Sequence, residues 1–280
     1  MQSKNDGSKV WFVTGSSSGF GRSLVDEVIA RGDRVVATAR DPRALADLVA
    51  RAPERVLALR LDVTLQGELE TAVAAALARF GAIDVLVNNA GFSIVGALEE
   101  TPEAELRATM ELMFFGAVAA TRALLPHFRQ RGTGTFVQLT SVGGLSTAPG
   151  FGAYCAAKHA LEGLSECLAA EVAPLGLRVL IAQPGAFRTS LFGSAFRTMP
   201  PQEAYAASVG PTRAFVTGAA GTQPGDPAKA ARAIADAVAA GCPTLRLPLG
   251  PDAVTLLRDK LARVAAELDA TEAVAVATTF

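Results

Sequence analysis

Tyr154 and Lys158 stand four residues apart in a chain that spends both residue types sparingly. The 280 residues include two tyrosines, and five lysines against twenty-one arginines. The segment Ala153–Ala173 around them has a helical pattern, which places both side chains on one face. A phenol with a pKa near about 10 is a poor proton donor or acceptor at neutral pH, and a neighbouring ammonium lowers that pKa by stabilising the phenolate. Such a pair can give a proton to a carbonyl oxygen or take one from an alcohol. Ser141, at the end of the apolar run Thr135–Leu139, can hydrogen-bond the same oxygen. A chance tyrosine–lysine helical pair is the plain alternative.

Proton transfer at a carbonyl needs a hydride donor, and a second pattern suggests one. Thr14-Gly15-Ser16-Ser17-Ser18-Gly19-Phe20-Gly21 lies between a β-branched run, Val10–Thr14, and a helical segment, Arg22–Arg31. Glycines there let the backbone turn tightly and approach a pyrophosphate, while the helix start presents unpaired N–H groups and a positive dipole end. A lone glycine pattern is weak, but its place after the first strand strengthens it. Arg40 follows the second strand, and Ala39 occupies the place where an acid would grip a ribose 2′-hydroxyl. An arginine there favours a 2′-phosphate, hence NADP(H) over NAD(H). The alternative is a solvated arginine at a strand end. Asp62 ends the third strand and can accept a bond from an adenine amino group, or serve as an ordinary turn residue.

The elements that must hold these groups alternate along the chain. Val10–Thr14, Arg34–Ala39, Val56–Leu61, Val85–Val87, Thr135–Leu139 and Val179–Ala182 read as buried parallel strands, and Thr244–Leu247 as a seventh at one edge. Helical patterns lie between them at Arg22–Arg31, Glu68–Phe80, Glu103–Phe128 and Ala153–Ala173. This alternation predicts βαβ units in a doubly wound, Rossmann-like parallel sheet with helices on both faces. One domain spans 10–269, between a tail at 1–9 and another at 270–280. Within it, 189–225 reads as a long irregular insertion, the expected substrate loop. A helix starts at Asp226-Pro227, and another covers Ala253–Leu268.

Half the residues are apolar and the net charge is -1, so a large core is available and no basic face or acidic tail suggests nucleic acid. Cys155, Cys167 and Cys242 are too few and scattered for a disulfide framework, and no metal site is expected. His127 and His159 lack ligand partners at useful spacing. The polar N-terminus has no signal-like apolar run, and apolar stretches are broken before about 20 residues, the bilayer-spanning length. A cytoplasmic protein that does not enter the membrane is expected.

Taken together, the motifs resemble the short-chain dehydrogenase/reductase family in its single-domain, NADP-preferring form. The matching pieces run from Val10 to Thr189: the glycine loop, Asp62-Val63, NNAG at Asn88–Gly91, Ser141, YCAAK at Tyr154–Lys158 and PGAFRT at Pro184–Thr189. Two of the chain's three asparagines fall in NNAG. The resemblance implies Tyr154 as acid/base, Lys158 on the nicotinamide ribose, and Ser141 orienting the substrate oxygen. It implies cofactor contacts at Gly15, Ser17, Ser18, Gly19, Phe20, Gly21, Arg40, Asp62 and Val63. Asn89, Ala90 and Gly91 would line the adenosine side, and Pro184, Gly185, Phe187 and Thr189 would hold the carboxamide. It also implies a homodimer or homotetramer through the helices near Glu103–Phe128 and Ala153–Ala173.

One departure stands out. The family carries an asparagine that helps link the lysine to solvent through a water, and Met113 falls at that position. A thioether is a weak acceptor and no donor. Phe192, Phe196, Met199 and Phe215 suggest an apolar pocket under a lid, or plain anchors for a long loop. Phe92, Ser93, Leu145 and Pro149 flank the site by the same resemblance. The expected activity is hydride transfer between NADP(H) and a small apolar ketone or secondary alcohol. The alternatives are a cofactor-binding sensor or structural member with little turnover, which Met113 favours, and an NADP-dependent isomerisation without net redox change.

Overall fold

Strands form where Val, Leu and Ala runs must be buried on both faces. In the computed structural model, which describes residues 7–192 and 196–279, β1 (Val10–Val13), β4 (Val85–Asn88) and β6 (Gly134–Leu139) are buried at every residue. With β2 (Arg34–Ala39), β3 (Val56–Arg60), β7 (Leu177–Pro184) and β9 (Arg246–Leu249) they make a seven-stranded sheet in the order β3-β2-β1-β4-β6-β7-β9. Every pairing is parallel.

Alternate residues supply two cores. On one face Trp11, Val13, Val35 and Ala37 pack with Leu24 and Val28 of α1 (Gly19–Ala30) and Ile234 and Val238 of α8. The latter helix spans Pro227–Ala239, and the side chain of Asp226 caps it by accepting from Ala228 N. On the other face Val10, Phe12, Val36 and Leu86 pack with Leu69 and Ala76 of α3 (Gln66–Phe80), and with helices α5 (Gly116–Arg131) and α6 (Gly152–Val172). Between α3 and β6 lie β5 (Ser93–Val95) and α4 (Glu103–Met110), and α2 (Ala46–Arg51) precedes β3. Strand order reverses between β1 and β4. That switch point opens a crevice beyond the carboxyl ends of the strands.

Three features differ from the sequence-based expectation. The segment 189–225 is not irregular throughout: β8 (Phe196–Thr198) pairs in parallel with β5, and α7 spans Ala206–Ala219. Gly210, Pro211 and Gly218 hide this helix from a local reading. Tertiary contacts hold it, with Val209 and Val216 buried and Arg213 donating to Met199 O and to the buried Glu100. The C-terminal segment is not a loose tail from residue 270, because α9 continues from Pro251 to Val276. Finally, the joined run Glu103–Arg131 is long and apolar enough by composition to cross a membrane. Here its α5 part packs on β4, β6 and α3 as a core helix.

Candidate active site

The glycine loop joins β1 to α1 at the switch point. Its tightness is set by Gly21, where a Cβ would fall 2.3 Å from the Gly15 carbonyl oxygen and 2.5 Å from Asn89 Nδ2. The Asn89 amide braces the loop by donating to Thr14 O at 2.8 Å and Gly15 O at 2.9 Å. Thr14 Oγ1 in turn accepts from the backbone N–H groups of Asn89 and Ala90. This cradle leaves Ser17, Ser18 and Gly19 at the start of α1, facing a cleft of about 460 Å³. Its closeness and its position at a helix N-terminus fit a pyrophosphate.

The same cleft reaches Arg40, Asp62, Val63, Asn89, Ala90 and Gly91 at one end and Tyr154, Lys158, Pro184 and Thr189 at the other. Asp62 accepts from Thr64 N at 3.0 Å and Thr64 Oγ1 at 2.7 Å. Burial pulls its pKa up, but the Thr64 bonds, with Arg40 and Arg60 nearby, hold it below the usual carboxylate range. Gly185 and Phe187 stand back from the cleft. The Phe187 ring packs on Phe20, with centroids 5.1 Å apart. A Cβ on Gly185 would collide with the carboxylate of Asp252, which accepts from Ala186 N.

Helix α6 brings Tyr154 and Lys158 to the floor of the cleft, both nearly fully buried. Ser141 follows β6, and its hydroxyl accepts from Gly143 N at 3.0 Å and donates to Pro184 O at 3.4 Å. Lys158 Nζ donates to Leu139 O at 2.8 Å and lies 5.8 Å from the Tyr154 ring centroid. Burial pushes the phenol up to about 12, against the Ser141 hydroxyl, which pulls it down. Burial pushes the Lys158 ammonium down to about 8, against the attraction of Glu162. The expected lowering of the phenol by Lys158 is therefore not found at this geometry. Desolvation decides, and Tyr154 holds its proton at neutral pH.

Met113 lies in a single π-helical turn, Glu111–Phe115, joining α4 to α5. Its side chain is buried, with Sδ 3.2 Å from where a Cβ on Gly91 would sit. Beside it, a cavity of about 10 Å³ is bounded by Thr14, Asn88, Met113 and Lys158 among others. That is close to the smallest space that admits one water.

The lid residues divide in a way their sequence does not show. Met199 is buried beneath the site with Phe92, Ile94 and Tyr154, Phe196 packs on Val95, Ala97 and Val209, and Phe215 is half-exposed. The side chain of Phe192 lies outside the described residues. Phe92 and Leu191 do line the cleft, together with Arg197, which the sequence reading passed over. The Arg197 guanidinium lies 3.9 Å from the Phe92 ring centroid and pairs with Glu105 at 2.6 Å. Only the pairing of β8 with β5 brings it there. His127 accepts from Ile83 N at 3.2 Å, a structural cap, and Cys155, Cys167 and Cys242 are free thiols.

Comparison with known proteins agrees with this fold. The short chain dehydrogenase family profile matches residues 9–200. Oxidoreductase BOA17 of Botryotinia fuckeliana is 38% identical over 247 residues, covering 88% of this chain and 90% of that protein. Among solved structures, a short-chain dehydrogenase from Streptomyces avermitilis superposes with a TM-score of 0.92 at 52% identity, over 98% of this chain and 100% of that one. A Burkholderia cenocepacia short chain dehydrogenase in complex with NADP gives a TM-score of 0.73 at 25% identity, over 94% and 96% of the two chains. With its Rossmann-like sheet, its cradle at the switch point and its tyrosine and lysine at the cleft floor, the chain belongs to the short-chain dehydrogenase/reductase family of oxidoreductases, which act on CH–OH and C=O groups.

Proposed function

We propose that this enzyme uses NADP(H) to interconvert an apolar ketone and its secondary alcohol, with Tyr154 as acid/base. The observation that carries the reading is the single cleft linking Arg40 and Asp62 to Tyr154 and Lys158. Arg40 supports the 2′-phosphate because no acid stands at residue 39 to repel it. Ser17, Ser18 and Gly19 would hold the pyrophosphate, Asn89, Ala90 and Gly91 the adenosine side, and Lys158 the nicotinamide ribose. Pro184 and Thr189 would meet the carboxamide. When bound, the nicotinamide supplies or accepts the hydride.

The chain's own residues do the proton chemistry. Ser141 orients the substrate oxygen toward the Tyr154 hydroxyl. A phenol held near about 12 by burial is protonated at neutral pH, the state in which it donates to a carbonyl becoming an alcohol. The Lys158 ammonium stabilises the phenolate left behind. In the opposite direction the same groups take the alcohol proton. Phe92 and Leu191 support an apolar substrate, and the charge of Arg197 at this end is paired with Glu105. The three free thiols fit a reducing cytoplasmic setting. The half-exposed Phe115 near α5 fits pairing of protomers along that helix.

The test is titration with NADPH and NADH by nicotinamide fluorescence, followed by a panel of apolar ketones. The expected outcome is tighter NADPH binding and turnover that Tyr154→Phe lowers by about 10²-fold or more, with cofactor binding kept. Turnover confined to sugars or acyl thioesters would overturn the substrate class. One observation favours a second reading, a cofactor-binding sensor: the buried thioether of Met113 where a relay amide would stand. Tight NADPH binding with no turnover across the panel would select it.

A further inference from the structure

Helix α6 carries a third polar residue on the face of Tyr154 and Lys158. Glu162 lies one turn beyond Lys158, and its carboxylate is buried. Oε1 accepts from Thr140 Oγ1 at 2.8 Å and from Gln183 Nε2 at 2.9 Å, and Oε2 pairs with Arg246 Nε of β9 at 3.2 Å. Thr140 immediately precedes Ser141, and Gln183 immediately precedes Pro184. The 3₁₀ turn after Ser141 rests on the same side chain, since a Cβ on Gly144 would fall 2.7 Å from Glu162 Cγ. One carboxylate thus joins the helix bearing Tyr154 and Lys158 to the two strand ends bearing Ser141 and Pro184.

Its charge is not fully balanced locally. Arg246 is shared with the half-exposed Glu166, so two carboxylates face one guanidinium. The remaining negative charge favours a cation beside it, and Lys158 is the neighbour on its own helix. The charged or titratable groups beside Lys158 on α6 are Tyr154, Cys155, His159 and Glu162, with Arg246 and Glu166 reached through Glu162. Toward β1, β4 and α5 its neighbours Thr14, Asn88 and Met113 are neutral. A buried carboxylate placed only for packing would be replaceable by an apolar side chain of its size.

We propose that Glu162 is a positioning residue for this active site: it keeps Lys158 charged and holds Ser141 and Pro184 in register with helix α6. The inference rests on Tyr154 and Lys158 as the reacting pair. With only five lysines in the chain, ¹³Cε-lysine labelling lets Lys158 be titrated by NMR in the free protein, its signal assigned with Lys158→Met. In Glu162→Gln the Lys158 midpoint is expected to fall by about one pH unit, as loss of a nearby opposite charge requires. The basic limb of kcat/KM should follow it down, and kcat should drop about tenfold while the Kd for NADPH stays within about threefold. In Arg246→Met, which removes the competing cation, the midpoint should rise. An unmoved midpoint and limb in Glu162→Gln, or an Arg246→Met midpoint that stays put or falls, overturns the proposal. If Glu162→Gln does not fold, Arg246→Met at its more exposed site decides alone. A wild-type protein with no turnover would count against the catalytic reading, whereas the NMR titration would still decide the role of Glu162.

Discussion

Substituting Gly21 by alanine should uncouple the cofactor cradle from the fold. In an exposed helix this change is favourable by about 1 kcal/mol, and Gly21 has an ordinary helical backbone, so no strain of conformation opposes it. The obstacle is contact. The new Cβ would lie 2.3 Å from Gly15 O, and reaching an ordinary separation of about 3.5 Å moves that carbonyl by about 1 Å. The carbonyl is pinned by Asn89 Nδ2 at 2.9 Å, and the same amide holds Thr14 O. Overpacking of this kind costs about 1–3 kcal/mol, and a weakened hydrogen bond about 1 kcal/mol more. A net loss near about 2 kcal/mol lowers Tm by roughly 4–8 °C in a domain of this size. Because the displaced loop is the one that would face the pyrophosphate, NADPH affinity should fall about tenfold or more, or about 1.4 kcal/mol. Differential scanning fluorimetry and nicotinamide fluorescence titration read the two effects. Gly67→Ala is the control, since it lies exposed in the first turn of α3 with nothing near its Cβ. It should leave both quantities unchanged or raise Tm slightly. A Gly21→Ala protein with wild-type Tm and a Kd within about twofold would refute the brace between Asn89 and the loop.

Two other substitutions test the ends of the cleft. Arg40→Glu should weaken NADPH and favour NADH, swinging the ratio of their Kd values by about tenfold or more; an unchanged ratio would make Arg40 an ordinary surface residue. Met113→Asn places an amide beside the small cavity at Lys158. Turnover of a good substrate should rise severalfold while Tm falls, because a buried apolar side chain is lost. Unchanged turnover would mean the side chain at 113 has no part in proton exchange.

Much of this site was legible in the sequence because its parts are local. A glycine loop, a strand end or a Tyr–Lys pair at helical spacing is specified within eight residues, and the order of strands and helices follows from periodicity. Boundaries of β2 and of the C-terminal end of α3 agree with that reading for the same reason. Where residues acted at a distance, the reading fell short. Phe187 faces Phe20 instead of the cleft, Arg197 enters the cleft on β8, and Pro211 sits inside a helix that its own sequence argues against. An interior proline costs about 3 kcal/mol, which the Arg213 tethers and the buried Val209 and Val216 offset.

By itself the sequence determined the alternating elements, the cradle and the Tyr154–Lys158 pair proposed to react, since these depend on side-chain type and short spacing. The tertiary structure alone decided how those groups are tuned. Burial, not the ammonium, sets the Tyr154 phenol, because desolvation depends on everything packed around it. Glu162 meets Thr140, Gln183 and Arg246 across separations of 22, 21 and 84 residues, which no local pattern encodes. Such contacts exist only once parallel strands from distant parts of the chain lie side by side and a helix closes over their ends.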